Sequence, residues 1–244
     1  MGSGADWSDV ITALDERFYC VAPDLPGHGT SLGLPPEAYT IEGAARTLLD
    51  LLDRLGAGRA AIAGYSMGGR LALYLALRYP ERCSGLILES TSPGIEDAAE
   101  RAARRRSDEE KAARLEAGDL ASFLRDWYRQ PLFASLARRE GLVEAMIEAR
   151  SQNDPVELSR SLRGMGAGKA PCLWGELARL RVPTLAVAGE LDAKYAGISW
   201  RMDASSPKVR AAVIPGAGHS VRAEVPGVYL ALLKRFLDDS ETGF

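Results

Sequence analysis

A G-x-S-x-G pentapeptide centred on Ser66 constrains the fold of this chain more than any other part of its sequence. Residues 59–63 before it form a short apolar run of strand type, and residues 69–77 after it have a helical composition. A serine on a sharp turn between a strand and a helix is a nucleophile elbow, and the residues two positions before and after it must be small. Gly64 and Gly68 meet that requirement. The alternative is a glycine-rich turn that carries an ordinary serine.

The composition excludes several classes of protein. Of the 244 residues, 46% are hydrophobic and 26% are charged, which is typical of one sizeable globular core with an insertion. The net charge of −3 gives no reason to expect a nucleic-acid partner, and no apolar run approaches membrane-spanning length. No signal peptide opens the chain, and Cys20, Cys83 and Cys172 are scattered. We therefore expect reduced thiols in a cytoplasmic protein with no membrane partner.

Short apolar runs alternate with helical stretches along much of the chain. Strands are predicted at 18–22, 60–63, 85–89, 184–188 and 209–214, and helices at 41–55, 69–78, 198–204 and 225–237. Continuous apolar strands between amphipathic helices indicate a parallel sheet that is covered on both faces. The predicted fold class is therefore α/β, with a mostly parallel sheet flanked by helices.

The alternation stops between residues 95 and 180. This segment is rich in Ala, Arg and Glu, and short amphipathic helices are predicted at 120–128 and 140–150. Insertions at the carboxyl end of a parallel sheet commonly build the ligand site. We therefore expect a core formed by residues 1–94 and 181–244, with a helical lid formed by residues 95–180.

The chain contains two histidines that could activate Ser66. A serine hydroxyl needs an imidazole to accept its proton, and that imidazole needs a carboxylate to fix its tautomer. In folds with this elbow the order along the chain is serine, acid, histidine, and only His219 fits that order. His28 lies in a turn after the first predicted strand, where structural hydrogen bonds are the simpler interpretation.

The acid is expected after a strand that lies between Ser66 and His219. Asp192 follows the run 184–188 by a few residues, and its carboxylate could reach an imidazole from there. Glu190 and Asp203 are the competing carboxylates, and helix capping is the alternative role for Asp192. No metal or cofactor is expected, since the chain has no H-E-x-x-H, no clustered cysteines and no G-x-G-x-x-G after a strand.

These residues resemble the α/β-hydrolase superfamily and, within it, the 2-succinyl-6-hydroxy-2,4-cyclohexadiene-1-carboxylate synthases of menaquinone (vitamin K2) biosynthesis. The resemblance covers nearly the whole chain, most specifically in a tryptophan-containing part of the expected lid. The matching segments are 64–70, 89–94, 102–104 with 106–108, 126–136, 189–195 and 218–219.

The resemblance implies a lyase that removes pyruvate from its substrate by 2,5-elimination. Ser66, activated by His219 and Asp192, would abstract a ring proton instead of attacking an ester. The residues implied to contact the small anionic substrate are Tyr65, Arg70, Arg104, Trp127 and Arg150, with Met67 supplying a backbone N–H to developing negative charge. A monomer or a weak homo-oligomer is expected.

Other interpretations remain open from the residues alone. Glu100 and Arg104 have the i,i+4 spacing of a solvated, salt-bridged helix, and Trp127 could be lid core. The same triad would also serve a carboxylesterase, a thioesterase or a carbon–carbon bond hydrolase. A binding protein with an idle triad is the third possibility.

The chain departs from the family pattern at its beginning. Members begin with a strand and a His-Gly-Phe-like loop that lead into Gly-Ser-Gly-Ala-Asp-Trp, and here residues 2–7 follow Met1 directly. The resemblance places that strand between the runs 18–22 and 60–63, and gives its loop one N–H of the oxyanion hole. The sequence therefore predicts missing N-terminal strands, with either a misassigned start codon or a damaged enzyme.

Overall fold

The computed structural model describes residues 1–242, and its centre is a sheet of four parallel strands. The strands are β1 (Ala60–Tyr65), β2 (Cys83–Glu89), β3 (Thr184–Gly189) and β4 (Val209–Ile214), paired in chain order. In the register, Tyr65 on β1 lies opposite Glu89 on β2, and Glu89 lies opposite Val187 on β3. Because the strands are parallel, the loops that follow them meet at one edge of the sheet.

Helices cover the sheet and fill the connection between β2 and β3. They are α1 (Ser8–Leu14), α2 (Ile41–Arg54), α3 (Met67–Arg78), α4 (Ala98–Glu116), α5 (Leu120–Tyr128), α6 (Leu142–Arg150), α7 (Pro155–Met165), α8 (Ala193–Ser205), α9 (Val221–Glu224) and α10 (Pro226–Thr242). Short 3₁₀ turns occupy Gly4–Trp7, Pro36–Tyr39, Pro80–Arg82, Pro131–Arg138 and Trp174–Arg179. Within residues 1–242, no helix is both long and apolar enough to cross a membrane.

Local sequence signals explain where several helices begin. The Thr40 hydroxyl accepts a hydrogen bond from the Gly43 N–H at the start of α2, at 3.0 Å. Asp97 caps α4 in the same way, and Asp154 caps α7, whose first residue is Pro155. These side chains satisfy N–H groups that have no partner inside the helix.

The apolar strands divide the core into two clusters, one on each face of the sheet. Leu86 and Leu88 of β2 pack with α2 and α3, whereas Ile87 between them packs with α1 and α10. Successive side chains of a strand point to opposite faces, so a strand buried on both faces is apolar at every position. The predicted α/β fold class with a parallel sheet is thereby confirmed.

Much of the segment between β2 and β3 packs in a third hydrophobic cluster, whereas Met165, Ala170 and Leu173 belong to the cluster with α2 and α3. Apolar side chains from α4, α5, α7 and the turn Pro131–Arg138 form this third cluster around Leu124, Leu136 and Leu158. We call residues 95–180 the helical insertion; their action as a lid stays a prediction.

The strand predicted at residues 18–22 does not form. Phe18 and Cys20 pack against the core, while Tyr19 is 85% exposed and Val21 is 46% exposed. A strand needs a neighbouring backbone for its hydrogen bonds. Here a cavity separates residues 18–22 from β1. The prediction of a buried sheet strand at residues 18–22 was therefore wrong.

Candidate active site

Ser66 lies on a strained turn between β1 and α3. Its backbone angles are φ 50° and ψ −104°, in the left-handed range of φ that side chains disfavour. A Cβ added to Gly64 would lie 2.5 Å from the Gly68 carbonyl oxygen, so residue 64 must be glycine. A Cβ at Gly68 would meet nothing within 4 Å, whereas one at Gly69 would lie 1.8 Å from the Thr91 hydroxyl oxygen. The predicted need for a small residue at 68 is therefore wrong, and Gly69 carries it instead.

His219 and Asp192 form a buried pair at the carboxyl edge of the sheet. The distance between His219 Nδ1 and Asp192 Oδ2 is 2.6 Å, and both residues are buried. Because Nδ1–H donates a hydrogen bond to this carboxylate, the Nε2 lone pair is left to act as a base. The other oxygen of Asp192 accepts the Tyr195 N–H at 3.2 Å, which caps α8 and fixes the carboxylate.

The competing residues lie elsewhere. The carboxylate of Glu190 accepts a backbone N–H of the loop before His219, and that of Asp203 accepts a backbone N–H of β4. His28 lies in a turn, with its Nδ1 at 3.2 Å from the Pro26 carbonyl oxygen. Burial lowers the pKa of His28 to about 3, so its ring is neutral near neutral pH.

Ser66 and His219 line the same cavity, which has a volume of about 800 Å³. Within the described residues, the Ser66 hydroxyl makes no hydrogen bond to the imidazole. Catalytic hydrogen bonds are often loose without substrate and tighten in the reacting complex. The structure therefore brings the predicted nucleophile and base to one site without a preformed bond between them.

Three aromatic rings surround the imidazole of His219. The ring centroids of Tyr65, Phe133 and Tyr195 lie 5.4, 5.7 and 4.7 Å from that of His219. The Tyr65 hydroxyl is 2.7 Å from the Ser220 hydroxyl oxygen, and burial raises the pKa of Tyr65 well above its ordinary value. Phe133 and Tyr195 were not predicted as site residues; their presence in two family-like segments was the available signal.

Two predicted arginines are buried in the wall of this cavity. Arg70 donates through Nη2 to the Met165 carbonyl oxygen at 3.3 Å, and burial lowers the pKa of its guanidinium. Arg150 donates through Nη2 to Asp6 Oδ2 at 2.8 Å. Within residues 1–242, Nε of Arg70 and Nη1 of Arg150 have no hydrogen-bond acceptor. A buried cation with an unpaired N–H favours an anionic ligand.

The third arginine, Arg104, also lines the cavity, but its side chain is 38% exposed. Its Nε donates to Asp108 Oδ1 at 2.7 Å, four residues further along α4. Asp108 is buried and accepts the Gly168 N–H as well. The carboxylate that pairs with Arg104 at i,i+4 spacing is therefore Asp108 and not Glu100. Because Asp108 is buried, the ion pair is only partly exposed to solvent.

Trp127 and Met67 complete the predicted set. Trp127 stacks on Phe123 with centroids 5.9 Å apart and also lines the cavity, so it belongs both to the insertion core and to the cavity wall. Met67 lines the cavity as the first residue of α3. Its N–H lies in the first turn, where no carbonyl inside the helix can accept it.

Comparison with known proteins agrees with this geometry. The family described as alpha/beta hydrolase fold matches residues 1–224. A Bacillus subtilis (strain 168) protein provisionally named 2-succinyl-6-hydroxy-2,4-cyclohexadiene-1-carboxylate synthase is 35% identical over 239 residues, which are 97% of this chain and 86% of the relative. The synthase of that name from Serratia proteamaculans (strain 568) is 33% identical over 238 residues, covering 97% of this chain and 89% of the relative.

Solved structures give the same result. The structure of MenH from S. aureus superposes with a TM-score of 0.94 at 31% identity, covering 98% of this chain and 91% of that chain. A thermophilic esterase from Thermogutta terrifontis has a TM-score of 0.84 at 27% identity, covering 98% and 86%. The chain therefore belongs to the α/β-hydrolase superfamily and, within it, to the family of 2-succinyl-6-hydroxy-2,4-cyclohexadiene-1-carboxylate synthases.

Proposed function

We propose that this protein is a lyase that eliminates pyruvate from 2-succinyl-5-enolpyruvyl-6-hydroxy-3-cyclohexene-1-carboxylate, which gives 2-succinyl-6-hydroxy-2,4-cyclohexadiene-1-carboxylate. One observation carries the proposal: Arg70, Arg104 and Arg150 line the same cavity as Ser66 and His219. The substrate has several carboxylates, and arginine binds carboxylates through paired N–H groups while remaining charged when buried. Family membership supports the same reaction.

The reaction needs a base and no cofactor. His219 Nε2 accepts the proton of Ser66, and the resulting alkoxide removes the ring proton at C2 of the substrate. The released electron pair forms a new ring double bond, the existing double bond shifts, and the C5–O bond breaks. The leaving group departs as the enolate of pyruvate and takes up a proton to become pyruvate. Asp192 stabilises the imidazolium that forms on His219.

Two kinds of group would stabilise the negative charge that develops during proton removal. The guanidinium groups of the cavity wall hold the substrate carboxylates and lower the electrostatic cost of a carbanion nearby. The Met67 N–H at the start of α3 adds the positive end of a helix dipole behind Ser66. Both effects act at partly buried groups, where electrostatic interactions are stronger than in water.

The experiment is an assay of pyruvate release from the enolpyruvyl substrate. We expect release by the parent protein, loss with Ser66→Ala, and a raised KM with Arg104→Ala. Arg106→Ala is the matched control, because Arg106 is an exposed arginine two positions along the same helix and does not line the cavity. No release by the parent protein, or equal effects of the two arginine variants, would contradict the proposal.

Ester or carbon–carbon bond hydrolysis is the second candidate. It is favoured by the strained Ser66 elbow and the His219–Asp192 pair, which suffice for acyl transfer. A burst of acyl-enzyme with an activated ester, together with no pyruvate release, would select it. A cytoplasmic location and a monomeric or weakly oligomeric state stay predictions.

A further inference from the structure

Glu89 is the last residue of β2 and is only 1% exposed. It lies in register with Tyr65 of β1 on one side and with Val187 of β3 on the other. Its backbone carbonyl accepts the Ser66 N–H at 2.8 Å. The main chain of Glu89 therefore fixes the turn that presents the nucleophile.

The side chain of the same residue reaches the start of α9, the short helix that directly follows the loop carrying His219. Glu89 Oε1 accepts the backbone N–H of Arg222 at 2.9 Å, and Arg222 lies three residues after His219. The second carboxylate oxygen lies 3.7 Å from Arg222 Nε, too far for a hydrogen bond. Glu89 thus links the Ser66 turn and the start of α9 through one backbone bond and one side-chain bond.

The fold alone does not account for a carboxyl group at this place. Burial raises the pKa of Glu89, against the opposing effect of Arg222, so the charged form is penalised. Within the described residues, Glu89 Oε2 and Arg222 Nε have no hydrogen-bond partner. Buried groups that are paired this incompletely usually destabilise a protein relative to an apolar pair.

We propose that Glu89 is a positioning residue of the reaction, which sets the distance between the Ser66 hydroxyl and the His219 imidazole. It does so by length: a side chain shorter than glutamate cannot reach from the end of β2 to the Arg222 N–H, so the bond that ties the start of α9 to the strand beside the Ser66 turn is lost. The proposal rests on the proposed function because it takes Ser66 and His219 as the reacting groups. It does not depend on which substrate they act on.

Two conservative variants distinguish the effect of the length of the Glu89 side chain from the effect of its charge. Glu89→Gln keeps the chain length and an oxygen acceptor for the Arg222 N–H but removes the charge. Glu89→Asp keeps the charge but shortens the side chain by about 1.5 Å, one carbon–carbon bond. We expect Glu89→Gln to retain kcat within about 3-fold, and Glu89→Asp to lose about 30-fold in kcat with KM nearly unchanged, since displacements near 1 Å cost up to about 100-fold.

Glu190→Asp is the matched control. The Glu190 carboxylate accepts the Gly216 N–H of the loop that carries His219 at 3.1 Å, but Glu190 is exposed and makes no bond to Ser66. We expect its kcat to remain near that of the parent protein. Thermal unfolding of each variant establishes that the kinetics refer to folded protein.

A second readout separates the failure of this proposal from the failure of the proposed function. A fluorophosphonate reacts with an activated serine whatever the natural substrate is, so its inactivation rate reports the Ser66–His219 geometry directly. Glu89→Asp should slow inactivation in parallel with kcat. If the parent protein releases no pyruvate but the inactivation rates follow this order, the reaction assignment fails and the role of Glu89 stands.

Two results would overturn the role of Glu89. In the first, folded Glu89→Asp reacts at the parent rate, which shows that length does not matter. In the second, Glu89→Gln loses as much as Glu89→Asp, which shows that charge and not reach is required.

Discussion

The carboxylate of Asp6 lies 2.8 Å from the guanidinium of Arg150, and this bond fixes a buried cation in the wall of the cavity. Asp6 belongs to the 3₁₀ turn Gly4–Trp7, whereas Arg150 is the last residue of α6 in the helical insertion. The pairing uses Nη2 of Arg150, and Nη1 has no acceptor within residues 1–242. The contact between these two parts of the chain thus leaves the Nη1 amino group of Arg150 available to a ligand.

Removing this orienting carboxylate should weaken substrate binding more than the chemical step. We expect Asp6→Ala to raise KM for the enolpyruvyl substrate by about 10-fold, the equivalent of one charged hydrogen bond. Steady-state kinetics with Asp9→Ala as control would measure it, because Asp9 is an exposed carboxylate on α1. An unchanged KM would show that Arg150 holds its position without Asp6.

The bond between Asp192 and His219 should be needed for activity. Asp192→Asn keeps the shape of the side chain but favours the wrong tautomer of the imidazole, so kcat should fall by about 10³- to 10⁴-fold. Asp203→Asn is the control, because the Asp203 carboxylate bonds only to the backbone of β4. Equal activities of the two variants would remove Asp192 from the mechanism.

The two neighbouring glycines at the start of α3 should respond oppositely to alanine. Gly68→Ala meets open space, and we expect it to raise the free energy of unfolding by about 0.5 to 1 kcal/mol through helix propensity. Gly69→Ala places a methyl group against Thr91, and we expect a loss of about 1 to 3 kcal/mol. Urea unfolding of both variants measures the difference, and the reverse order would contradict the description of the elbow.

His28 should make the protein less stable in acid. Its pKa is lowered to about 3 by burial, so the folded state binds fewer protons than the unfolded state between about pH 6.5 and pH 3. The stabilising contribution is therefore complete above the unfolded pKa and is lost as pH falls through this window. Between pH 8 and pH 5 the loss should be about 2 kcal/mol.

The His28→Gln variant tests this dependence, because glutamine does not titrate there. Between pH 8 and pH 5 the parent protein should lose about 2 kcal/mol of unfolding free energy relative to His28→Gln. Parallel pH profiles of the two proteins would show that His28 is not the group responsible.

Local patterns in the sequence predicted the parts of the site that depend on local structure. The Ser66 elbow follows from one strand, one turn and one helix, and Asp192 and His219 follow from loops after strands. Their meeting could be expected because all these loops leave the same edge of a parallel sheet. The pairing distance of 2.6 Å could not be read from the sequence.

The errors and omissions depend on contacts between distant segments. Residues 18–22 form a short apolar run of strand type, but strand formation also depends on a neighbouring backbone. Residue 69 must be glycine because the Thr91 side chain packs against it, a contact that the spacing within the motif does not reveal. Glu89 was predicted to end a strand and to begin a family-like segment, but its side-chain role could not be predicted because its bond to Arg222 spans 133 residues.

The hydrophobic cluster of the helical insertion has a consequence for ligand binding. Arg104 and Arg150 are attached to that cluster, whereas Arg70 belongs to α3 on the sheet. A molecule with negative charges at both ends would connect the cluster around Leu124 in the insertion to the cluster on the α3 face of the sheet. A small uncharged ester offers no such bridge, so we expect selectivity for polyanions to depend on where the cations are anchored as well as on their number.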